Sequence, residues 1–167
     1  MHNLSSEDGV MSLTAYEETL AALAGRLRLA EAPTADLMAE IAAKACARLP
    51  LLNKAGKAAR LYEFIGHGAW TDATLILIAF ELPAWQLRRL THDGGEWLCS
   101  LSRQPQLPVE LDDTADGRHP VLALAILAAF LDARCRIGAE RGARAQTVPQ
   151  VKSRSSYGYT ICCDNFS

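Results

Sequence analysis

The hydrophobic positions in the first third of the chain recur three or four residues apart, the spacing of one face of a helix. Thr14 and Glu17 stand three positions apart where the first run begins, as the two members of a capping box do. The pattern predicts helices over 15–30, over 35–48 with an end before Pro50, and from a cap at Asn53 to a stop at Gly66-His67-Gly68.

Residues 71–82 are predominantly apolar and fit two structures. A cap at Thr71-Asp72 and a proline at position 83 favour a helix. The branched side chains of this segment would also suit a buried strand. A helix is the preferred prediction, and a strand is the alternative.

The clearest strand signal lies between Trp85 and Ser102. Two runs, 85–91 and 96–102, flank the sequence His92-Asp93-Gly94-Gly95, and an Asp-Gly pair supplies the positive φ angles that a tight hairpin needs. In the second run Trp97, Cys99 and Leu101 alternate with Leu98, Ser100 and Ser102. This alternation predicts a hairpin with one buried face.

The chain after the hairpin is first polar and then strongly apolar. Residues 103–119 contain two prolines and four acidic side chains, which predicts a loop, with a short third strand at 109–111 as an addition. Pro120 suits the first position of a helix, so a helix is predicted over 120–136 with an end at Gly138. Because this helix is apolar all round, we expect it to be buried against the apolar face of the hairpin.

Together these elements predict an α+β fold: N-terminal helices, then a helix–β-hairpin–helix unit whose small antiparallel sheet packs on helices. Residues 1–12 are predicted to be a flexible leader, and 13–138 a single α+β domain. From Ala139 onward the apolar periodicity ends and the composition turns basic, which predicts a disordered tail over 139–167.

Composition and charge predict the class of protein and the cellular compartment in which it works. The chain has 167 residues, half of them hydrophobic, which suffices for one domain with its own core. A net charge of −2 argues against a protein that coats nucleic acid or anionic lipid. The five scattered cysteines, the absence of a leader pattern and apolar runs too short for a bilayer predict a reducing, cytoplasmic setting without a membrane partner.

Three motifs follow one another between residues 70 and 136. They are a helix ending in Leu82-Pro83-Ala84-Trp85, a strand with the sequence Glu96-Trp97-Leu98-Cys99-Ser100-Leu101, and a helix rich in alanine and leucine that starts at Pro120. With a glycine turn and an acidic loop between them, they resemble the phage ABA sandwich domain family. The resemblance implies helix–sheet–helix layering, a setting in phages or bacterial mobile elements, a family of unknown function and no catalytic residue.

The acidic loop holds the candidate metal ligands Asp112, Asp116 and His119, since hard cations bind several oxygens from a flexible loop. A calcium loop of the EF-hand type that started at Asp112 would need a glutamate at its twelfth position, where the chain has Ala123. The motif fails there, so a solvated loop is preferred and no cofactor or metal is predicted.

A cysteine nucleophile would require Cys99 to pair with His92 or His119 and an orienting acid. Cys99 shares its predicted face with Trp97 and Leu101, where a buried thiol acts as a small hydrophobe. The preferred prediction is an inert thiol.

The candidate binding residues belong to the hairpin: Trp85, Trp97, Arg88 and Arg89. The preferred function is a non-enzymatic binding or adaptor protein, with another protein or a second copy as partner. One alternative is a nucleic-acid-associated accessory factor that uses the basic C-terminal tail. A second alternative is a metal-dependent or cysteine enzyme centred on the loop at 110–119.

Overall fold

Six α-helices and one three-stranded antiparallel sheet form the part of the protein that the computed structural model describes, residues 13–146. The predicted α+β class is confirmed. The predicted leader, 1–12, and residues 147–167 of the predicted tail lie outside the described residues. In chain order the elements are α1 (Leu13–Leu29), α2 (Ala35–Ala45), α3 (Leu49–Lys54), α4 (Ala59–Gly66), α5 (Trp70–Glu81), β1 (Gln86–Asp93), β2 (Glu96–Ser102), β3 (Ala115–His119) and α6 (Leu122–Gln146).

The first two predicted helices are confirmed as α1 and α2. Thr34 caps α2, because its side-chain oxygen accepts a hydrogen bond from the N–H of Leu37 at 3.2 Å. The helix ends at Ala45, three residues earlier than predicted. The segment 71–82 is helical, as α5, which confirms the preferred prediction for that stretch, but the cap predicted at Thr71-Asp72 is wrong, because the helix already begins at Trp70 and Ala69 precedes it.

The prediction of one helix from Asn53 to Gly66 is wrong. A glycine turn separates two helices in this part of the chain, α3 and α4. Gly56 has a φ of +70°, in the left-handed region. Its N–H donates to the carbonyl of Asn53 at 2.9 Å, and the N–H of Lys57 donates to that of Leu52 at 2.9 Å. This pair of bonds is a Schellman cap, which ends α3. Pro50 lies in the first turn of α3 instead of following a helix.

The hairpin is confirmed, with Asp93 opposite Glu96 at its closed end. The two turn residues are Gly94 and Gly95, with φ of +60° and +86°, so the positive φ angles fall on the glycine pair instead of on Asp-Gly. A bulge between Leu87 and Arg89 shifts the register of β1 near its start.

The third strand lies at Ala115–His119, and the prediction of a strand at 109–111 is wrong. Those three residues form a short 3-10 turn instead. A side chain at Gly117 would place its Cβ 2.3 Å from the carbonyl oxygen of Ala125 and 2.3 Å from the amide nitrogen of Ala129. The missing side chain therefore lets α6 lie directly on β3, which holds this segment as a strand.

The last helix, α6, is longer than predicted. Gly138, the expected end, lies inside the helix, which continues to Gln146. Arg103 donates two hydrogen bonds to the carboxylate of Glu140, at 2.9 and 2.5 Å. An interior glycine costs a helix only about 1 kcal/mol relative to alanine, and contacts of this kind can offset that cost. The prediction of disorder is therefore wrong for residues 139–146.

The sheet has an inner face, which α6 covers, and an opposite outer face. Cys99 and Leu101 are fully buried on the inner face, which confirms that the hairpin packs its apolar side against the last helix. Helices α1 and α5 pack in turn against α6. Since the described residues carry no helix on the outer face, they do not show the helix–sheet–helix layering that the family resemblance implies. None of the helices described here has the combined length and apolar character that a membrane span needs.

Candidate binding face of the sheet

The outer face is built from the side chains that alternate with the buried ones on the same three strands. Its first cross-strand row contains Thr91, Leu98 and Arg118, in the order β1, β2, β3. Its second row contains Arg89, Ser100 and Asp116. Within these rows the apolar Leu98 is half-buried, whereas Arg89 and Arg118 are exposed.

Two shallow cavities share the centre of this face, with volumes of about 330 and 280 Å³. Arg89, Leu98 and Arg118 line both of them. Asp93 and Glu96 border the first cavity, at the turn end of the hairpin. The second is bordered at the other end by further residues, among them Val109, Ser100 and Asp116. The face is thus an open, corrugated surface with an apolar centre.

The positive charges at the centre of the face have no ion-pair partner in the part of the chain that the structure describes. The guanidinium groups of Arg89 and Arg118 neither form an ion pair with nor donate a hydrogen bond to any residue in the range 13–146. Asp116 accepts a hydrogen bond from the hydroxyl of Thr114 at 3.2 Å. A guanidinium without a partner on the protein keeps all its donors for a ligand, and its planar fork matches a carboxylate.

Arg88, the neighbour of Arg89, has a different role. Its guanidinium forms an ion pair with Asp112, whose side chain is only 3% exposed, and donates to the carbonyl of Leu107 at 2.7 Å. The bulge beside Arg88 allows this adjacent pair of arginines to act separately. Arg88 therefore anchors the loop between β2 and β3, and Arg89 is left on the open face.

The two predicted tryptophans do not form the centre of this face, although Trp97 borders the first cavity. Trp85 is buried, with the guanidinium of Arg103 5.1 Å from its ring centre. Trp97 is on the inner face, half-buried, with its ring 4.8 Å from that of His92. Of the four candidate binding residues, Arg88 and Trp97 border one cavity each, and Arg89 lines both with a guanidinium that has no ion-pair partner among residues 13–146.

The three candidate metal ligands are held apart by separate partners. Asp112 is paired with Arg88, and Asp116 belongs to the outer face. His119 is buried, and its Nδ1 accepts a hydrogen bond from the N–H of Val121 at 2.9 Å. Within the described part of the chain, no three His, Cys, Asp or Glu side chains gather in a way that could hold a metal ion.

The thiol of Cys99 is protonated at neutral pH. Burial raises the pKa of Cys99 to about 12, and the negative charge of Asp116 adds to the effect. The pKa of Cys46 is likewise raised to about 12, first by burial and then by the charge of Glu81. Since the thiolate is the nucleophilic form, these two cysteines lack the ionisation that thiol catalysis requires.

Sequence reasoning missed a buried polar cluster on the helical side. Glu81 accepts hydrogen bonds from the backbone N–H groups of Arg48, at 2.9 Å, and Leu49, at 2.6 Å, and so caps the start of α3. Arg134 lies 3.8 Å from the Glu81 carboxylate and donates to the hydroxyl of Tyr16 at 2.8 Å. The sequence did not single these residues out, because Glu81 ends a helix that also carries Asp72, and Arg134 is one of several charged residues of α6. The cluster joins α1, α3, α5 and α6, and its groups are satisfied by one another.

A groove between α1 and α2 has a volume of about 690 Å³, larger than either cavity of the outer face. Three alanines, Leu23 and Thr19 line it together with four charged residues, among them Glu40. Glu40 pairs with Lys44 at 2.8 Å and also with Arg26. Three of the four charged residues that line this groove are thus paired with one another, whereas Arg89 and Arg118 on the outer face have no ion-pair partner among residues 13–146.

The chain matches no protein-family model, no curated protein and no solved structure in the three comparisons. The outer face is therefore interpreted from its own geometry and charge.

Proposed function

We propose that the protein is a non-enzymatic binding protein whose outer sheet face takes an acidic segment of a partner protein. The observation that carries this proposal is the position of Leu98 beside two guanidinium groups, Arg89 and Arg118, that have no ion-pair partner among residues 13–146. An apolar side chain of the partner would cover Leu98. A neighbouring carboxylate would then accept hydrogen bonds from one or both guanidinium groups.

A protein partner fits this face better than a nucleic acid does. A phosphate backbone selects for clustered cations, and each contact adds to the salt dependence of binding. Here the two free arginines share the face with Asp93, Glu96 and Asp116. Such a mixture of signs suits a partner with both apolar and acidic side chains in a fixed order. The alternative function through the basic tail stays a prediction, because residues 147–167 lie outside the described range.

Because the buried thiols of Cys46 and Cys99 are protonated, a binding function is better supported than catalysis by a cysteine. Cys99 lies under the sheet, on the inner face, and its thiol is fully buried. The outer face presents guanidinium, carboxylate, hydroxyl and leucine side chains, which are recognition groups in a shallow setting. From the family resemblance over 70–136 we add a phage or bacterial mobile-element setting, and from the cysteines a cytoplasmic one, as parts of the same proposal.

The test is a selection of peptides on the full chain. A library of random peptides is displayed and selected against the immobilised protein, and enriched peptides are synthesised and titrated by calorimetry. We expect enrichment of peptides with an aspartate or glutamate next to a large apolar residue. Their affinity should fall at least about tenfold in Arg118→Glu, because a charge-assisted hydrogen bond worth about 1.5–3 kcal/mol becomes a repulsion.

The matched control is Arg28→Glu, since Arg28 is another exposed arginine, on α1, without an ion-pair partner within 13–146. The control should bind the same peptides as tightly as the parent chain, apart from a small effect of net charge. A selection that enriches no acidic peptide, or enriched peptides that bind Arg118→Glu as tightly as the parent chain, would overturn the proposal.

A further inference from the structure

The two edges of the sheet differ in how well they are covered. The sheet order is β1-β2-β3, so β1 and β3 are both edge strands. On β3, the N–H of Asp116 donates to the side chain of Asp132 on α6 at 3.0 Å, which occupies part of that edge. On β1, the stretch between Arg89 and Asp93 makes no hydrogen bond to any described residue other than its β2 neighbours. An open edge of this kind is a template for another strand.

The hairpin geometry fixes which backbone groups of β1 point outward. In a hairpin with a two-residue turn, the residues that close the turn, here Asp93 and Glu96, are a hydrogen-bonded pair. Bonded and non-bonded pairs then alternate along the ladder. The N–H and C=O groups of Arg89 and Thr91 therefore face β2. Those of Leu90 and His92 face away from the sheet and are free to pair.

If β1 pairs with β1 of a second copy, oppositely charged side chains of the two copies lie opposite each other. If two copies of β1 run antiparallel about a two-fold axis at Thr91, Leu90 of each copy pairs with His92 of the other through the outward backbone groups. The same register places Arg89 opposite Asp93 of the second copy, twice, on the outer face. Opposite charges directly across two strands stabilise such a pair.

The uncovered side chains of β1 support the same pairing. Because α6 lies over β2 and β3, Leu90 on the inner side of β1 is left 38% exposed. In the two-fold arrangement Leu90 contacts His92 of the second copy and lies diagonally across from its counterpart. Pairing of the edge ends near Arg89, where the bulge disturbs the strand. The strand also lacks the lysine and proline residues that commonly protect edges.

We propose that a second copy of this chain pairs antiparallel with β1 over residues 89–93, forming a two-fold dimer with a continuous six-stranded sheet. This goes beyond the proposed function, because it uses the edge of β1 and leaves Leu98 and Arg118 on the face. The dimer presents that pair of residues twice on one surface. It takes Arg89 into the interface, so that Arg118 is the guanidinium that remains for a ligand.

The experiment is sedimentation velocity of the full chain under reducing conditions, over a hundredfold range of concentration. Five residues from each copy make a small interface, so we expect a dissociation constant on the order of 10 µM. Arg89→Asp alone and Asp93→Arg alone each place two like-charge pairs at the interface, and each should weaken dimerisation at least about tenfold. Mixing these two variants restores both opposite-charge pairs, so the mixture should form a heterodimer about as tight as the parent dimer.

Thermal unfolding of each variant shows that it is folded, and Arg28→Glu serves as a variant that should dimerise normally. A parent chain that stays monomeric throughout the range overturns the inference. So does a mixture of the two single variants that associates no better than either variant alone. Peptide binding by Arg118→Glu and by the parent chain is measured separately, so that a failed dimer and a failed binding function can be told apart.

Discussion

The two faces of the sheet use neighbouring residues of the same strands for opposite purposes. On β2, Leu101 is fully buried against the helical layer, whereas Leu98, three positions earlier, is half-buried on the open side. On β3, Gly117 has no space for a side chain, whereas the next residue, Arg118, extends into solvent without a partner in the described chain. The inner positions are dictated by packing on α6. The outer positions at Thr91, Arg89 and Arg118 are exposed, so packing does not dictate their chemistry and they are available for recognition.

The largest expected difference between the faces comes from placing the same charge on each. Leu101→Asp would bury an unpaired carboxylate against α6, and we expect it to lower the free energy of unfolding by more than about 4 kcal/mol, which would unfold a domain of ordinary stability. Leu98→Asp, on the open side of the same strand, should lower it by about 1 kcal/mol or less. Urea unfolding followed by circular dichroism measures both. Equal losses would contradict the distinction between the faces.

The next comparison is between paired and unpaired charges. Glu81→Ala removes the cap of α3 and leaves Arg134 buried beside a vacated site, so we expect a loss of about 3–5 kcal/mol in the free energy of unfolding. Arg118→Ala removes a charge without a partner in the described residues and should change it by no more than about 0.5 kcal/mol. Chemical denaturation of the two variants under one set of conditions makes the comparison. A stable Glu81→Ala variant would mean that the buried cluster is dispensable.

A smaller effect is expected at the contact between β3 and α6. Gly117→Ala adds one methyl group where the nearest backbone atoms would be 2.3 Å away, so the helix has to move from the strand. We expect a loss of about 1–3 kcal/mol, measured as a lower midpoint of urea unfolding. Asp116→Ala, one residue away on the outer face, is the control and should cost less. If Gly117→Ala were as stable as the parent chain, the close approach of α6 would not be a constraint.

The smallest effect is a dependence on alkaline pH. Because burial raises the pKa of Cys99 to about 12, the folded chain keeps a proton that the unfolded thiol loses from about pH 8.5 upward. The unfolded state then binds fewer protons, so this thiol makes the free energy of unfolding fall as pH rises through that range toward the folded pKa. Cys99→Ala should show a shallower fall between pH 8 and 10 in urea titrations. An unchanged slope would show that Cys99 is not shielded.

Elements with a local signal were predictable from the sequence. Helices α1, α2 and α5 follow from apolar spacing, and the hairpin follows from two alternating runs around a glycine pair. The break at Gly56 was missed because the apolar residues on both sides of it continue the helical spacing. In the same way, α6 passes through Gly138 because contacts outside the helix outweigh the local preference of glycine.

The rest depended on contacts between distant segments. The segment Ala-Asp-Gly-Arg-His has no branched or aromatic strand former, and it becomes β3 because Gly117 admits α6. The sequence placed Arg88 and Arg89 together as candidate binding residues, but the bulge directs Arg88 to Asp112 and leaves Arg89 without an ion-pair partner among the described residues. Arg118 could not be found at all while its strand was taken for a loop. The candidate face was therefore only partly predictable.

The central claim is that the outer face, with Leu98 and Arg118 at its centre, is where a partner binds. The most direct measurement is a nuclear magnetic resonance titration of the isotope-labelled full chain with an enriched acidic peptide. We predict that the amide shifts that change most belong to Thr91, Leu98, Ser100 and Arg118, and that Arg118→Glu abolishes them. Changes centred instead on the groove between α1 and α2, at Ala22 and Ala43, would contradict the claim.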